Sequence, residues 1–423
     1  MASELQRIVD SVASRAGRPA LIEDRQQRMV VYSEQTGPMD EVRRMSILRR
    51  HTTPEVIAFF RQAGVLRAKE PIRTPACAKL RMLPRVCVPI WHNDLLLGFV
   101  WFVDADRSMT DEHIAAVSAT TTDLALALYR ENLAGELASR RETEAVRLLL
   151  AEEGEAQAHG AQTLAEDGVL AEEGQTTALV AWLVPDAGAR LDDLARIALE
   201  QGLLASRRWV GPRQAVHLLR YDHGVLLVHG KPRRGRQGPR AVATHLHEAL
   251  SDAVRGLSSV ATVVVGVGQP RPTLPEVRGS YDEAVRAARV AVQLPSAGPV
   301  ACWSQLGVYR LLSHLTGDTM DGASVHPGLE RLLDDPANGP LLDTLEVYLD
   351  QAGNAHAAAE RMNLHRTSLY YRLQRVEQLA GTDLKDGTER LSLHLALKLA
   401  RLAGRHRWPG APRASAQSAP RSA

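Results

Sequence analysis

The sequence predicts a multidomain α+β protein, with an α/β module at the N-terminus, an α+β module in the middle and an all-α module at the C-terminus. Three observations predict it. A chain of 423 residues exceeds what one ordinary core accommodates, so two to four domains are expected. Short apolar runs bounded by turn residues alternate with helix-like stretches as far as about residue 316. From Leu341 onward the apolar residues recur only at helical spacing.

Composition narrows the class. With 45% hydrophobic and 24% charged residues the chain reads as soluble and globular rather than disordered or fibrous. No window approaches ~20 consecutive apolar residues, so no membrane span is expected. Met1 to Arg18 is interrupted by Glu4, Arg7, Asp10 and Arg15 and lacks the apolar stretch of a secretory leader, which points to the cytoplasm. Cys77, Cys87 and Cys302 have no paired spacing, so they read as reduced thiols rather than as a disulfide framework or a metal site. The net charge of +2 is too small to imply a nucleic-acid partner by itself. Its distribution is uneven: Lys398, Arg401, Arg405, Arg407, Arg413 and Arg421 follow one another without an intervening Asp or Glu. The C-terminal end is therefore expected to be locally cationic.

In residues 1–130 the clearest piece is Arg85 to Trp91, a polar turn His92-Asn93-Asp94, and Leu95 to Asp104. Two apolar runs around an Asn-Asp turn read as a β-hairpin. Thr110 then serves as the N-cap of a helix running toward Tyr129, with His113 at its third position and acidic residues in its first turn. Trp91, His92, Trp101 and Cys87 have the chemistry to line a cavity, yet at alternating strand positions each reads as core. This order of elements resembles a GAF domain, a small-molecule sensory module, which implies an effector whose binding residues the sequence leaves unknown.

Residues 131–176 are expected to form a signalling helix and linker. From Leu124 to Leu150 the spacing of Leu124, Leu128, Leu133, Leu137, Val146 and Leu149 suits a helix that packs against its twin in a dimer. Glu152 to Gln175, rich in Ala, Gly and Glu, reads as a frayed helix or linker.

Residues 177–316 form the middle module. Strands are predicted at Ala178–Val184, Ala215–Tyr221, Val225–Val228 and Val260–Val267, and helices at Leu191–Gln201, Ala241–Arg255 and Leu274–Leu294. Together they predict a sheet covered on one face. The basic loop Lys231 to Arg236 reads as solvated rather than as a phosphate site. Val263 to Gly268 followed by Gly279 to Ala288 resembles the degenerate GGDEF-like domain of PucR/CdaR regulators. In a true cyclase of that fold a central hairpin supplies glycines and carboxylates for phosphate and metal. Here the hairpin reads Tyr221-Asp222-His223-Gly224-Val225, which leaves one carboxylate, so no catalytic residues, metal ligands or cofactors are expected. A nucleotide-turnover enzyme of the GGDEF fold is the alternative.

Residues 317–404 carry the strongest motif, and the tail 405–423, rich in Pro, Ala, Ser and Arg, is expected to be disordered. Leu342, Leu345 and Leu349 form one helical stripe that Gly353 ends. Asn354 caps a short helix whose buried face is Ala355, Ala358, Ala359 and Met362, small enough for close helix approach. Asn363-Leu364-His365 forms the turn, with Leu364 expected between the helices. Leu369, Leu373, Val376 and Ala380 then share one face, and Thr367, Tyr371, Gln374 and Gln378 the opposite one, flanked by Ser368 and Arg375. A helix that merely faces water is usually furnished with paired charges. Hydroxyl, amide and guanidinium groups instead suit phosphates and base edges in a major groove.

The run His365-Arg366-Thr367-Ser368-Leu369-Tyr370-Tyr371-Arg372-Leu373, with Glu377 and Gly381, resembles the C-terminal helix-turn-helix of PucR-type regulators over Leu341 to Leu402, including a last helix with Leu391, Leu395, Leu399 and Leu402. Thr367 and Ser368 depart from the Asn and Thr of that pattern. The resemblance implies a transcription regulator that binds double-stranded DNA through His365, Arg366, Thr367, Ser368, Tyr371, Arg372, Gln374 and Arg375. His365 either caps the helix or touches DNA. Arg372 either reaches DNA or pairs with Glu377 or another acid. One such helix spans too few base pairs for high specificity, so a homodimer is expected. A scaffold whose C-terminal helices only dimerise is the remaining alternative.

Overall fold

The computed structural model describes residues 4–170, 174–186, 189–230, 238–315 and 326–405. The loop Lys231 to Arg236 and the tail beyond residue 405 lie outside the described residues. The chain divides into two compact units, Met1–Arg140 and Arg141–Ala423. Among the described residues no helix is long and apolar enough to cross a membrane.

The first unit contains α1 (Glu4–Ala16), β1 (Ala20–Asp24), β2 (Met29–Tyr32), α2 (Glu41–Arg49), α3 (Pro54–Gln62), β3 (Ile72–Thr74), β4 (Arg85–His92), β5 (Leu95–Val103) and α4 (Asp111–Ser118). It also holds the N-terminal part of α5 (Thr121–Leu149). The strands form one antiparallel sheet in the order β2-β1-β5-β4-β3. Asn93 and Asp94 both adopt positive φ, 46° and 61°, the backbone that a two-residue turn between twisted strands demands. Alternation along the strands splits the core. Ile22, Val86, Val88, Ile90, Val100 and Phe102 face α1, α4 and α5, whereas Leu21, Cys87, Phe99 and Trp101 face α2 and α3. Trp91 and His92 are only half-buried: the Trp91 indole donates to Ala68 O at 3.0 Å, and the His92 ring lies 4.8 Å from that of Tyr129.

Thr110 caps α4, its hydroxyl accepting from His113 N while His113 Nδ1 accepts from Thr110 N. The predicted single helix toward Tyr129 is two, interrupted between Ser118 and Thr121. There the hydroxyls of Ser118, Thr120 and Thr121 donate back to main-chain carbonyls.

The second unit begins with the end of α5 and α6 (Gly154–Glu166). A frayed helix or linker was expected here, but α6 is packed: a Cβ on Gly160 would lie 2.5 Å from Ala145 O and 2.7 Å from Leu149 N, so the two helices touch through backbone. β6 (Gln175–Pro185), α7 (Asp193–Val210), β7 (Ala215–Leu219), β8 (Gly224–Gly230), α8 (Pro239–Ala253), β9 (Val260–Val267), α9 (Val277–Gln293), β10 (Val300–Cys302) and the short α10 (Tyr309–Leu312) follow. The sheet order is β10-β9-β6-β8-β7, with β10 parallel to β9 and the other pairs antiparallel.

Contrary to expectation, both faces of this sheet are covered. Ala178, Val180, Val216, Leu218, Val225, Leu227 and Val264 pack against α5, α6 and α9, and Leu179, Ala181, Leu183, Leu226, Val263, Val265 and Val267 against α7 and α8. A strand buried on both sides reads as a continuous apolar run, which is how Val263 to Val267 is written. The glycines in and after that run have a steric reason. A Cβ on Gly266 or Gly268 would lie 2.0 Å from the carbonyl oxygen of Ala284 or Ser280, so α9 can approach β9 only over bare backbone.

Among the described residues five helices follow: α11 (Pro327–Leu333), α12 (Gly339–Asp350), α13 (Ala355–Arg361), α14 (Arg366–Ala380) and α15 (Gly387–Leu402). Their core contains Leu329, Leu332, Leu342, Leu345, Ala358, Leu369, Leu373, Val376, Leu393 and Leu397. α15 belongs to two cores, because Ala396, Leu397 and Ala400 enter this one while Leu399 and Leu402 enter the core beneath α9.

Candidate nucleic-acid interface

α13 and α14 form the helix-turn-helix that the spacing predicts. Asn354 Oδ1 accepts from the backbone N–H groups of His356 and Ala357, both at 3.1 Å, which satisfies two otherwise orphaned donors and fixes where α13 starts. Ala358 and Ala359 are buried against the neighbouring helices, and Ala355 and Met362 pack partly. The turn requires a left-handed residue and Asn363 supplies it at φ 51°. Leu364, expected in the core, is half-buried at the turn.

α14 is held on three sides. Leu369, Leu373, Val376 and Ala380 face the helical core. Its last carbonyls accept from Arg331, Leu379 O from Nε at 2.9 Å and Ala380 O from Nη2 at 2.5 Å. Glu377 accepts from Leu384 N at 3.0 Å, tying the helix to the following turn. A Cβ on Gly328 would lie 2.1 Å from Ala380 O, so the start of α11 abuts the end of α14. Such a support leaves the helix little freedom to rotate.

The outward surface carries Arg366, Thr367, Ser368, Tyr371, Gln374, Arg375 and Gln378, all exposed. Tyr371 is 72% exposed, uncovered by any of the described residues. Arg375 Nη1 donates to Gln378 Oε1 at 3.4 Å, so the pair presents amide and guanidinium groups side by side. Arg366 lies over the Tyr370 ring at 5.9 Å.

Two predicted residues have structural partners. His365 is the N-cap of α14: its Nδ1 accepts from Thr367 N at 3.4 Å and lies 2.7 Å from Thr367 Oγ1. Arg372 is half-buried and donates to Thr344 Oγ1 on α12 at 3.2 Å, a partner other than the Glu377 or further acid that was one of its two expected roles.

The described residues of the basic C-terminal run are paired with acids, while Arg407, Arg413 and Arg421 lie outside the described residues. Lys398 Nζ reaches Glu346 Oε1 at 3.0 Å and Asp350 Oδ1 at 2.8 Å, Arg401 pairs with Glu346, and Arg405 with Glu330. Sequence reasoning missed this cluster because the acids lie some fifty residues upstream. The signal was present as Glu346 and Asp350 one turn apart on α12, facing Lys398 and Arg401 one turn apart on α15.

In the middle module, the hairpin that would hold phosphate in a cyclase is folded onto the protein instead. Asp222 Oδ1 lies 2.7 Å from His223 Nδ1, and His223 Nε2 lies 3.0 Å from the Tyr281 hydroxyl on α9. Burial lowers the His223 pKa and raises that of Tyr281. Among the described residues no group of three or more His, Cys, Asp or Glu is placed to hold a metal ion.

Comparison with known proteins agrees with this arrangement. A model of the PucR C-terminal helix-turn-helix domain matches residues 341–399, and a model of a GGDEF-like domain matches residues 153–290. The DNA-binding transcriptional activator AdeR of Bacillus subtilis is 21% identical over 93% of this chain and 92% of its own length. The Proline-responsive transcriptional activator PutR of the same organism is 20% identical over 94% and 96%. The Purine catabolism regulatory protein of Bacillus subtilis is 42% identical over 62 residues, 15% of this chain and 12% of its own.

Proposed function

From a chain that carries the helix-turn-helix and the GGDEF-like domain of PucR-type regulators, we propose a sequence-specific transcription regulator that reads double-stranded DNA with α14, acts as a homodimer and answers to a small-molecule effector. One observation carries the reading: α14 is clamped by Arg331, Gly328 and the helical core while its opposite surface, free of acidic residues, stays exposed. Arg375, Gln374 and Gln378 have the donors and acceptors for base edges. Thr367, Ser368, Arg366 and Tyr371 suit phosphates near the helix N-terminus, where the helix dipole favours anions. His365 and Arg372 support that surface from their partners on the chain.

Dimerisation is supported by α5. Leu126, Tyr129, Leu133 and Leu137 are each at least 37% exposed and fall on one side of the helix, a seam of the kind that pairs with its twin. Effector control is supported by the relatives, one of which is named as proline-responsive, and by the GAF-like order of elements in the first unit.

Selection of duplexes from a random library by the full chain, followed by fluorescence anisotropy on the enriched sequence, tests the proposal. Tyr371→Ala and Arg375→Ala should each weaken binding about tenfold or more while leaving the sedimentation coefficient unchanged. Failure to enrich any sequence, or undiminished binding by both variants, would remove the regulator reading.

A further inference from the structure

Between the sheet of the first unit and α2 lies a set of charged and amide side chains withdrawn from water. Glu23 on β1, Gln27 in the β1–β2 turn, Arg43 and Ser46 on α2, Asp40 before α2, Thr52 after it and Arg85 on β4 are all buried. The inner face of α2 is thus polar, its buried positions being Val42, Arg43 and Ser46.

Part of this set is satisfied. Asp40 caps α2 by accepting from Arg43 N at 2.8 Å, accepts from Leu83 N at 2.7 Å, and takes Arg85 Nη2 on both oxygens at 2.7 and 2.8 Å. Thr52 Oγ1 donates to Glu23 Oε1 at 2.5 Å and lies 3.1 Å from Ser46 Oγ. Arg43 Nη2 donates to Trp101 O at 2.9 Å. The remainder is not. Arg43 Nε and Nη1, Arg85 Nε, and Gln27 Nε2 and Oε1 are buried without a hydrogen-bond partner, as are Glu23 Oε2 and the Trp101 indole N–H, although the indole is placed to lower the Glu23 pKa.

Buried polar atoms are nearly always paired, and those of a guanidinium most insistently. Seven orphaned atoms within one core side argue that something absent from the chain completes the set. Gln27 strengthens the point, since this non-glycine residue is held at φ 58° with both amide atoms orphaned. Thr52 N donates to its main-chain oxygen at 3.1 Å, which fixes the turn against the loop after α2.

We infer that this enclosed site binds a small organic acid bearing a hydrogen-bond donor on its α-carbon, an α-amino or α-hydroxy acid, as the effector of the first unit. The inference rests on the effector control proposed above. The carboxylate accepts from Arg43 through one of its two orphaned donors, Nη1 or Nε, which point to different sides of the guanidinium. The amino or hydroxyl group donates to Glu23 Oε2, and Gln27, able to donate and accept, closes the ring of contacts. Full burial of every lining group limits the ligand to a compact molecule. Burial also raises the Glu23 pKa to about 7 and lowers that of Arg43 to about 9, the condition of two ions short of partners.

The test measures the thermal midpoint of the full chain with each of the twenty L-amino acids, with L-lactate and glycolate, and with acetate. At least one α-substituted acid should raise the midpoint by about 4 °C or more at saturation, and acetate, which lacks the donor, should do far less. An amino acid active where L-lactate is silent identifies the ammonium form, and the reverse identifies the hydroxyl form. Gln27→Met keeps side-chain length while deleting both orphaned atoms. It should melt at or above the wild-type temperature without ligand yet lose the ligand shift, an outcome that a purely structural glutamine would not give. Arg43→Met should lose the shift as well. The inference is overturned if no acid shifts the wild type, or if Gln27→Met responds undiminished. Anisotropy on DNA separates the two proposals: a chain that ignores every acid but loses duplex binding on Arg375→Ala keeps its regulator role and loses only this site.

Discussion

Replacing Glu346 by Gln should loosen the DNA-reading head selectively. The Glu346 and Arg401 side chains are 1% and 2% exposed, so their pairing takes place out of water, and Lys398, 12% exposed, joins the same carboxylate at 3.0 Å. Removing one partner of a buried pair costs about 3–5 kcal/mol, and the lower end applies here because Arg401 keeps Asp343 at 3.8 Å. Asp350 offsets little of this: its carboxylate is 37% exposed and its contact with Lys398 is worth under about 1 kcal/mol. Since a multidomain chain does not melt in one step, hydrogen exchange of amides in α12 and α15 is the suitable assay. A loss of about 3 kcal/mol corresponds to exchange roughly 100-fold faster there, with the amides of β4 and β5 unchanged. The double substitution of Glu346 and Arg401 by Leu should recover most of the protection, because the most deeply buried charge leaves with its partner while Lys398 keeps Asp350 and Asp343 is partly exposed. Exchange within twofold of wild type for Glu346→Gln, or a double variant as labile as the single one, would refute the reasoning.

Two further outcomes are expected. Glu23 has a folded pKa of about 7 against 4.5 unfolded, so both states are protonated below 4.5 and the native state binds the extra proton above it. Stability of the first unit should therefore fall by about 3 kcal/mol as pH rises from 4.5 to 7 and then level off, and Glu23→Gln should flatten that slope in a pH series of denaturant midpoints. Leu133→Glu with Leu137→Glu places charge on the exposed seam of α5 and should turn a dimeric chain monomeric in sedimentation velocity, weakening DNA binding while α14 is untouched.

The helix-turn-helix was legible because its signals are local. Asn354 caps within three residues, Asn363 takes the left-handed turn, and the stripe Leu369-Leu373-Val376-Ala380 needs only the helical period to be seen. Legibility failed where the partners are far apart in sequence. Lys398, Arg401 and Arg405 read as part of an open cationic run, but Glu330, Glu346 and Asp350 reach them from other helices. Arg372 was expected either to reach DNA or to pair with Glu377 or another acid, and its hydrogen bond to Thr344 on α12 was not foreseen. The second cover on the middle sheet was missed for a related reason: an apolar run such as Val263 to Val267 shows burial without saying from how many sides. Glu23, Gln27 and Arg43 passed unnoticed because an isolated polar residue in a strand, turn or helix of ordinary composition looks solvated. Only tertiary structure gathers them beneath α2.

The last helix has a mechanical consequence. Leu399 and Leu402 are seated in the layer under α9 while their neighbours Ala396, Leu397 and Ala400 anchor the reading head. Swinging the head away from its platform would return both leucines to water at about 3–6 kcal/mol, leaving the detached arrangement under about 1% populated. Head and platform therefore travel together, so in the proposed homodimer any adjustment of the distance between the two heads has to be made where one copy of the chain meets another.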